Sequence, residues 1–142
     1  LHSELKKKFK ITCPKITVTG LNPHSGEDGE FGNEEIRIIK PAIKKMQGLD
    51  ISLNGPIPAD TAFTPKIMRN TDCYLTMYHD QGLGPFKALT FGKGVNVTLG
   101  LPIIRTSVDH GTGLDIAGSN KVDPSSFFES IKLAISLAKN QY

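Results

Sequence analysis

The chain has 142 residues, 38% hydrophobic and 22% charged, enough for one domain with a core or for part of a larger protein, and not a disordered or fibrous composition. Its net charge of +3 comes from 17 basic and 14 acidic residues, spread out rather than gathered in a patch, which argues against nucleic acid as a partner. No apolar run approaches the ~18 residues that span a membrane, and Cys13 and Cys73, without a C-x-x-C partner, read as buried reduced thiols of a cytoplasmic protein.

Residues 1–9 have helical spacing, with Lys6, Lys7, Lys8 and Lys10 as a solvated face beside Leu1, Leu5 and Phe9. The run begins inside this pattern with no initiator Met, so an upstream region is expected. Ile16-Thr17-Val18-Thr19 is β-branched, bounded by Pro14 and Gly20, and predicts a strand. A Gly-rich loop over residues 20–32 follows. Asn33 is placed to cap a helix carrying Glu34 and Glu35 in its first turn, with Ile36, Ile39, Ile43 and Met46 at helical spacing and a kink at Pro41.

Ile51-Ser52-Leu53 predicts a short strand and "GPIPADT" a loop, and Thr64-Pro65 opens a short helix. A buried strand ends at Leu75. The loop "TMYHDQG" follows, and then a helical patch around Phe86 to Leu89. Residues 94–99 alternate as a strand, and Ile103-Ile104 is a short apolar piece. Asp123-Pro124 opens a last helix whose predicted buried face is Phe127, Ile131, Ala134, Ile135 and Ala138. Strands alternate with helices, so the expected class is α/β with a mostly parallel sheet. Ligands in such sheets bind beyond the carboxyl ends of strands, which draws attention to residues 20–32, 55–61, 78–87 and 105–118.

Three of the four histidines, His24, His79 and His110, lie in those loops. A single loop histidine is more often structural than a ligand, but several at one sheet edge suit a divalent ion such as zinc, cobalt or manganese. Asp60 and Asp80 read either as partners that fix an imidazole tautomer or as general bases. Lys87, Asn96 and Arg105 form a second set. Arg105 follows four residues expected to be buried, so it needs an anionic partner, which a bound phosphate or carboxylate and an internal salt bridge satisfy equally. Asn96 also reads as a strand residue facing solvent. In "DHGTGLDIAG", Gly111 and Gly113 permit close backbone approach, His110 offers a flat ring, and Asp115 is a carboxylate suited to the hydroxyls of a dinucleotide ribose. The G-x-G-x-x-G fingerprint is absent from the sequence.

"GLNPHSGEDGEFGNEE", "GPIPADTAF", "YHDQGLGPFK" and "VNVTLGLPIIRTSVDHGTGLDIAG", followed by the closing helix, occur in one order with one spacing from about Ile16 onward. This series resembles the 4-hydroxythreonine-4-phosphate dehydrogenase family of pyridoxal phosphate synthesis, with its isocitrate/isopropylmalate dehydrogenase-like fold. The resemblance implies oxidation of 4-phosphohydroxy-L-threonine by NAD (or NADP), with decarboxylation to 3-amino-2-oxopropyl phosphate. It implies a divalent ion (zinc, cobalt, magnesium or manganese) held by three histidines at a homodimer interface. His24 and His79 match two of them, and the third lies upstream. Lys87, Asn96 and Arg105 match the substrate-gripping residues, with the spacing to Lys87 kept through Gly84-Pro85-Phe86. His110, Gly111, Thr112, Asp115 and Gly118 match the cofactor loop, and Asp60 and Asp80 are the catalytic candidates.

The resemblance also divides the chain. Residues 1–75 are expected in an interface and metal-binding subdomain, and residues 76–142 in the C-terminal part of a substrate and NAD subdomain. A sister dehydrogenase acting on erythronate or threonate 4-phosphate, and a piece that is non-catalytic in isolation, are the alternatives.

Overall fold

The computed structural model describes residues 1–119 and 121–140. They form two compact units, one of residues 12–85 and one of residues 1–11 with 86–142. The division thus falls inside a helix at Pro85, later than the boundary near residue 75 expected from sequence, and the first eleven residues group with the C-terminal segment.

The first unit is built on a parallel three-stranded sheet in the order β2-β1-β3, with β1 Ile16–Thr19, β2 Leu53–Ile57 and β3 Cys73–Leu75. Ile16 pairs with both Leu53 and Cys73, so β1 is the central strand. All four of its residues are buried, as a strand covered on both faces requires. Its two threonines survive burial because each hydroxyl has a partner: Thr17 Oγ1 lies 2.7 Å from Thr71 Oγ1, and Thr19 Oγ1 donates to Gln81 Oε1 at 2.6 Å. Val18 packs with Ile39 and Ile43, flanked by Leu53 and Met77.

Ile43 lies on α2 (Lys40–Gln47), and Ile39 on a five-residue π turn (Glu35–Ile39) that leads into it. Pro41 has no N–H and its ring crowds the carbonyl four residues back, so a regular α-helix cannot run through this point. The Lys40 amide accordingly bonds the Glu35 carbonyl, one residue further back than in an α-helix. Asn33 does not cap with its side chain. Its carbonyl accepts from Arg37, and the helix starts at Glu34.

β2 extends through "GPI", part of the stretch expected to be a loop, and a helical turn, α3 (Ala59–Ala62), follows. The short helix opened by Pro65, α4 (Pro65–Met68), is present as expected. The "YHDQG" segment is not an extended loop: α5 runs His79–Thr90, so His79 and Asp80 occupy a helical first turn, where the dipole favours the carboxylate.

The second unit pairs β4 (Val95–Thr98) with β5 (Arg105–Val108) in antiparallel fashion. Ile103-Ile104 precedes this strand rather than forming it. α6 (Ser125–Lys139) packs on the pair and buries Ser126, Ser130 and Leu137, with Thr106 Oγ1 donating to the Ser130 carbonyl at 3.0 Å. This reverses the predicted face: Phe127, Ile131 and Ile135 are exposed, and only Ala134 and Ala138 of the expected set are half-buried. Small hydroxyl residues let the helix approach the strands closely, and periodicity alone reads them as the polar side. α1 (His2–Lys7) buries Leu5. Lys8, expected in solvent, is buried, paired with Glu4 at 2.7 Å and donating to the Leu101 carbonyl.

Both thiols are free, but Cys13 is exposed rather than buried, because Pro14, not Cys13, turns inward ahead of β1. Burial pushes the Cys73 thiol up from its ordinary value. Since the thiolate is the reacting species, iodoacetamide at neutral pH is expected to alkylate Cys13 well before Cys73. Peptide mass spectrometry over a time course reads this directly, and equal rates would contradict the packing.

Candidate functional site

Beyond the carboxyl end of β1 the chain enters "GLNPHSGEDG", and here one buried carboxylate organises the backbone. Glu35 is 1% exposed. Its Oε1 accepts the amides of Leu21 and Asn22 at 2.7 and 2.8 Å, and its Oε2 accepts Asn22 Nδ2 at 2.9 Å. Burial raises the pKa of this carboxyl, but the donors of Asn22 and Leu21 outweigh it and hold the group below the usual glutamate value.

Over this clamp His24 to Asp28 all adopt positive φ, a single left-handed helical turn (His24 φ 53, Ser25 φ 54, Gly26 φ 84, Glu27 φ 39, Asp28 φ 53). Such a turn costs roughly 1–2 kcal/mol for each residue that carries a side chain, so surrounding bonds must impose it. Gly26 is required at its centre, where a Cβ would stand 2.7 Å from Glu35 Oε2.

Gln81 holds the same strand end from the other side. Its Oε1 accepts from Thr19 Oγ1 and, at 2.8 Å, from the Met77 amide, and its Nε2 donates to the Gly20 carbonyl at 2.7 Å. Thr19 to Asn22 are thereby fixed by two buried polar side chains. The result is a cleft of about 270 Å³ lined by Asn22, His24, Asp60, Tyr78 and Gln81, among others.

The structure thus brings His24 and Asp60 to one cleft. The His24 ring stacks on Phe31 at 5.8 Å between centroids, with Nδ1 3.9 Å from Glu27 Oε2. His79, next to the cleft residue Tyr78, is exposed, and its Nδ1 lies 2.7 Å from Asp80 Oδ1. With Nδ1–H donating to that carboxylate, the Nε2 lone pair is left free to ligate, the arrangement by which an outer carboxylate orients a ligating imidazole. The chemistry of both imidazoles therefore fits a borderline divalent ion. Among the described residues no three His, Cys, Asp or Glu side chains form a metal-holding group.

The anion-binding candidates lie in the second unit. By register, Asn96 and Arg105 share one face of the β4–β5 pair, since Asn96 opposes Ser107 and Arg105 opposes Thr98. Arg105 is exposed, with Nη1 donating to Thr98 Oγ1 at 2.7 Å. The sequence argument that a buried Arg105 needs an anion therefore fails: it starts a strand after an exposed segment in which Ile103 is 62% accessible. Lys87 is 3.0 Å from Asp109 Oδ1 and also donates to the Asp109 carbonyl.

The cofactor candidates are exposed. His110 Nδ1 lies 2.9 Å from the Gly111 carbonyl, Asp115 sits in a 3₁₀ turn (Leu114–Ile116), and a side chain at Gly111 or Gly118 would meet open space. An open loop of this kind fits the approach of an extended dinucleotide.

Sequence reasoning passed over Glu35, Gln81 and Asp109. In the sequence Glu35 shows only as a first-turn dipole residue. The signal available was the row of loop amides before it, each needing an acceptor once buried.

The architecture is of the α/β class. It superposes on a crystal structure of 4-hydroxythreonine-4-phosphate dehydrogenase from Klebsiella pneumoniae with a TM-score of 0.83 and 46% identity, over 96% of this chain and 41% of that one. It is also similar to a terephthalate 1,2-cis-dihydrodiol dehydrogenase from Burkholderia xenovorans LB400, with a TM-score of 0.70 and 31% identity, over 95% and 42% of the two chains. In sequence it is 55% identical to a 4-hydroxythreonine-4-phosphate dehydrogenase from Chromobacterium violaceum, over 97% of this chain and 42% of that relative. Residues 1–134 match the family described as pyridoxal phosphate biosynthetic protein PdxA, and the chain belongs to that family. It spans about two fifths of the length of the curated relatives it matches.

The Glu35 clamp has a measurable signature. Because its pKa is lower folded than unfolded, its contribution is fully present above the ordinary glutamate value of about 4.3 and is lost as pH falls through the lower folded-state value. Glu35→Gln is expected to cost about 2 kcal/mol at neutral pH, the scale of hydrogen bonds to a buried charge. Urea unfolding of the variant and parent across pH should show that gap closing in acid, and a pH-independent gap would exclude the clamp.

Proposed function

We propose that the full-length protein carrying this chain oxidises 4-phosphohydroxy-L-threonine with NAD (or NADP) in pyridoxal phosphate biosynthesis, as a cytoplasmic homodimer. The observation that carries this reading is the family match over residues 1–134, within which every quoted motif falls. In this reading the unit of residues 12–85 carries the metal-ligand candidates and the unit of residues 1–11 with 86–142 the substrate and cofactor candidates, a division later than the 1–75 and 76–142 expected from sequence.

His24 and His79 would hold a divalent ion (zinc, cobalt, magnesium or manganese), with further ligands from outside the described residues. When bound, such an ion polarises the substrate hydroxyl and supports the charge that develops on carbon as CO₂ leaves. Asp80 fixes the His79 tautomer through the 2.7 Å contact. Asp60 shares the cleft with His24 and is the side chain suited to take the hydroxyl proton.

Lys87, Asn96 and Arg105 hold the acid and phosphate ends of the substrate. The loop of His110, Gly111, Thr112, Asp115 and Gly118 would hold the dinucleotide, with the Asp115 carboxylate suited to accept from its ribose hydroxyls. The dinucleotide, when bound, would supply the hydride acceptor for the carbinol carbon; the resulting β-keto acid loses CO₂, and a proton returned to the carbon that carried it gives 3-amino-2-oxopropyl phosphate.

The test is reduction of NAD by the full-length protein with this substrate and added divalent metal, followed by its absorbance. No reduction under any metal sinks the reading, and faster turnover of erythronate or threonate 4-phosphate reassigns the substrate. Asp80→Asn is expected to weaken metal binding about 10- to 100-fold, as loss of an orienting carboxylate does. Equilibrium dialysis measures this independently of turnover, and unchanged affinity would remove Asp80 from the role.

A further inference from the structure

Among the described residues, Lys87 is the one candidate substrate residue that the structure already finds holding a carboxylate. Asp109 is 8% accessible in its side chain, whereas Lys87 is 46% accessible. The acid is therefore the built-in member of the pair and the ammonium the member that reaches solvent. Both oxygens that Asp109 offers to this side go to Lys87, the carboxylate Oδ1 and the backbone carbonyl. Asp109 is itself fastened: its amide donates to Ser126 Oγ at 3.3 Å, and the buried Ser126 hydroxyl in turn reaches the Gly94 carbonyl at 3.5 Å. Gly94 is needed there, because a Cβ on it would run into Asp109 Oδ2 and the Phe86 ring. Asp109 is also the residue directly before His110, so the Lys87 ammonium pins the entry to the "HGTG" loop.

We propose that Asp109 is the positioning residue for Lys87, holding the ammonium at the end of β5 and tying it to the start of the cofactor-loop candidate. This rests on the reading of Lys87 as a substrate contact. A flexible lysine loses rotamer freedom when it grips an anion, and prior fixation by Asp109 removes part of that cost before the anion arrives. With asparagine in place of Asp109, the Lys87 side chain is no longer held by a carboxylate.

The test is a double-mutant cycle in the full-length protein with Asp109→Asn and Lys87→Met, read first as affinity for inorganic phosphate by calorimetric titration and then as KM and kcat. Asp109→Asn is expected to weaken phosphate binding and raise the substrate KM roughly tenfold, the value of one charge-assisted hydrogen bond, with kcat changed less. In the Lys87→Met background it should add nothing, because contacts acting through one another are non-additive. Multiplying effects, or no effect of Asp109→Asn alone, overturn the proposal.

The phosphate arm keeps this separate from the function reading. A wild type that binds phosphate with the expected non-additivity but turns over no substrate fails the function and leaves Asp109 in its role. Should Asp109→Asn fold poorly, the wild type still decides: acylation of Lys87 by an amine reagent should be slower than that of exposed Lys93, and equal rates overturn the pairing.

Discussion

The carboxylate of Glu35, buried where three N–H donors point at it, is the constraint on which the metal-site candidate depends. Without an acceptor at that point, the partly buried amides of Leu21 and Asn22 would lose their protein partner at the end of the central strand. With it, the chain leaving β1 is fixed closely enough to carry five consecutive left-handed residues, and His24 comes to the cleft on that turn. Gln81 completes the arrangement by binding Thr19, Gly20 and Met77. Both are polar residues spent inside the fold so that others can stand at its surface.

The second unit repeats the logic with a different charge. Asp109 is sheltered and Lys87 reaches outward, so the buried acid orders a cation that solvent and solutes can meet. In each unit the candidate functional side chain is more exposed than the residue that holds it. That is the expected division when a site must bind ligands that come and go, since exposed groups keep access while buried ones supply rigidity.

The parts of the fold legible in the sequence were those with strong local signals. The β-branched run at Ile16 to Thr19 became the central strand, Pro65 opened its helix, and Asp123 ahead of Pro124 marked the last one. Asp123 acts there by accepting both the amide and the hydroxyl of Ser125, which also lowers its pKa. Signals that compete were misread. "GPI" looked like a loop because Gly and Pro disfavour strands, yet it pairs beside β1. On α6, Phe127, Ile131 and Ile135 make the more hydrophobic stripe, but Ser126, Ser130 and Leu137 are the buried residues. Close helix packing selects for size there, and hydropathy does not measure size.

By itself the sequence determined the α/β class, the family and the identity of the chemical groups, because serial motifs and strand–helix alternation are properties of residue order. Only the tertiary structure decided which residues hold those groups. Glu35 meets Leu21 across 14 positions, Gln81 meets Gly20 across 61, and Lys87 meets Asp109 across 22. No local pattern encodes a partner so far along the chain; such partners are set by the parallel pairing of β1 with its neighbours in one unit and by the packing of α6 on β4 and β5 in the other.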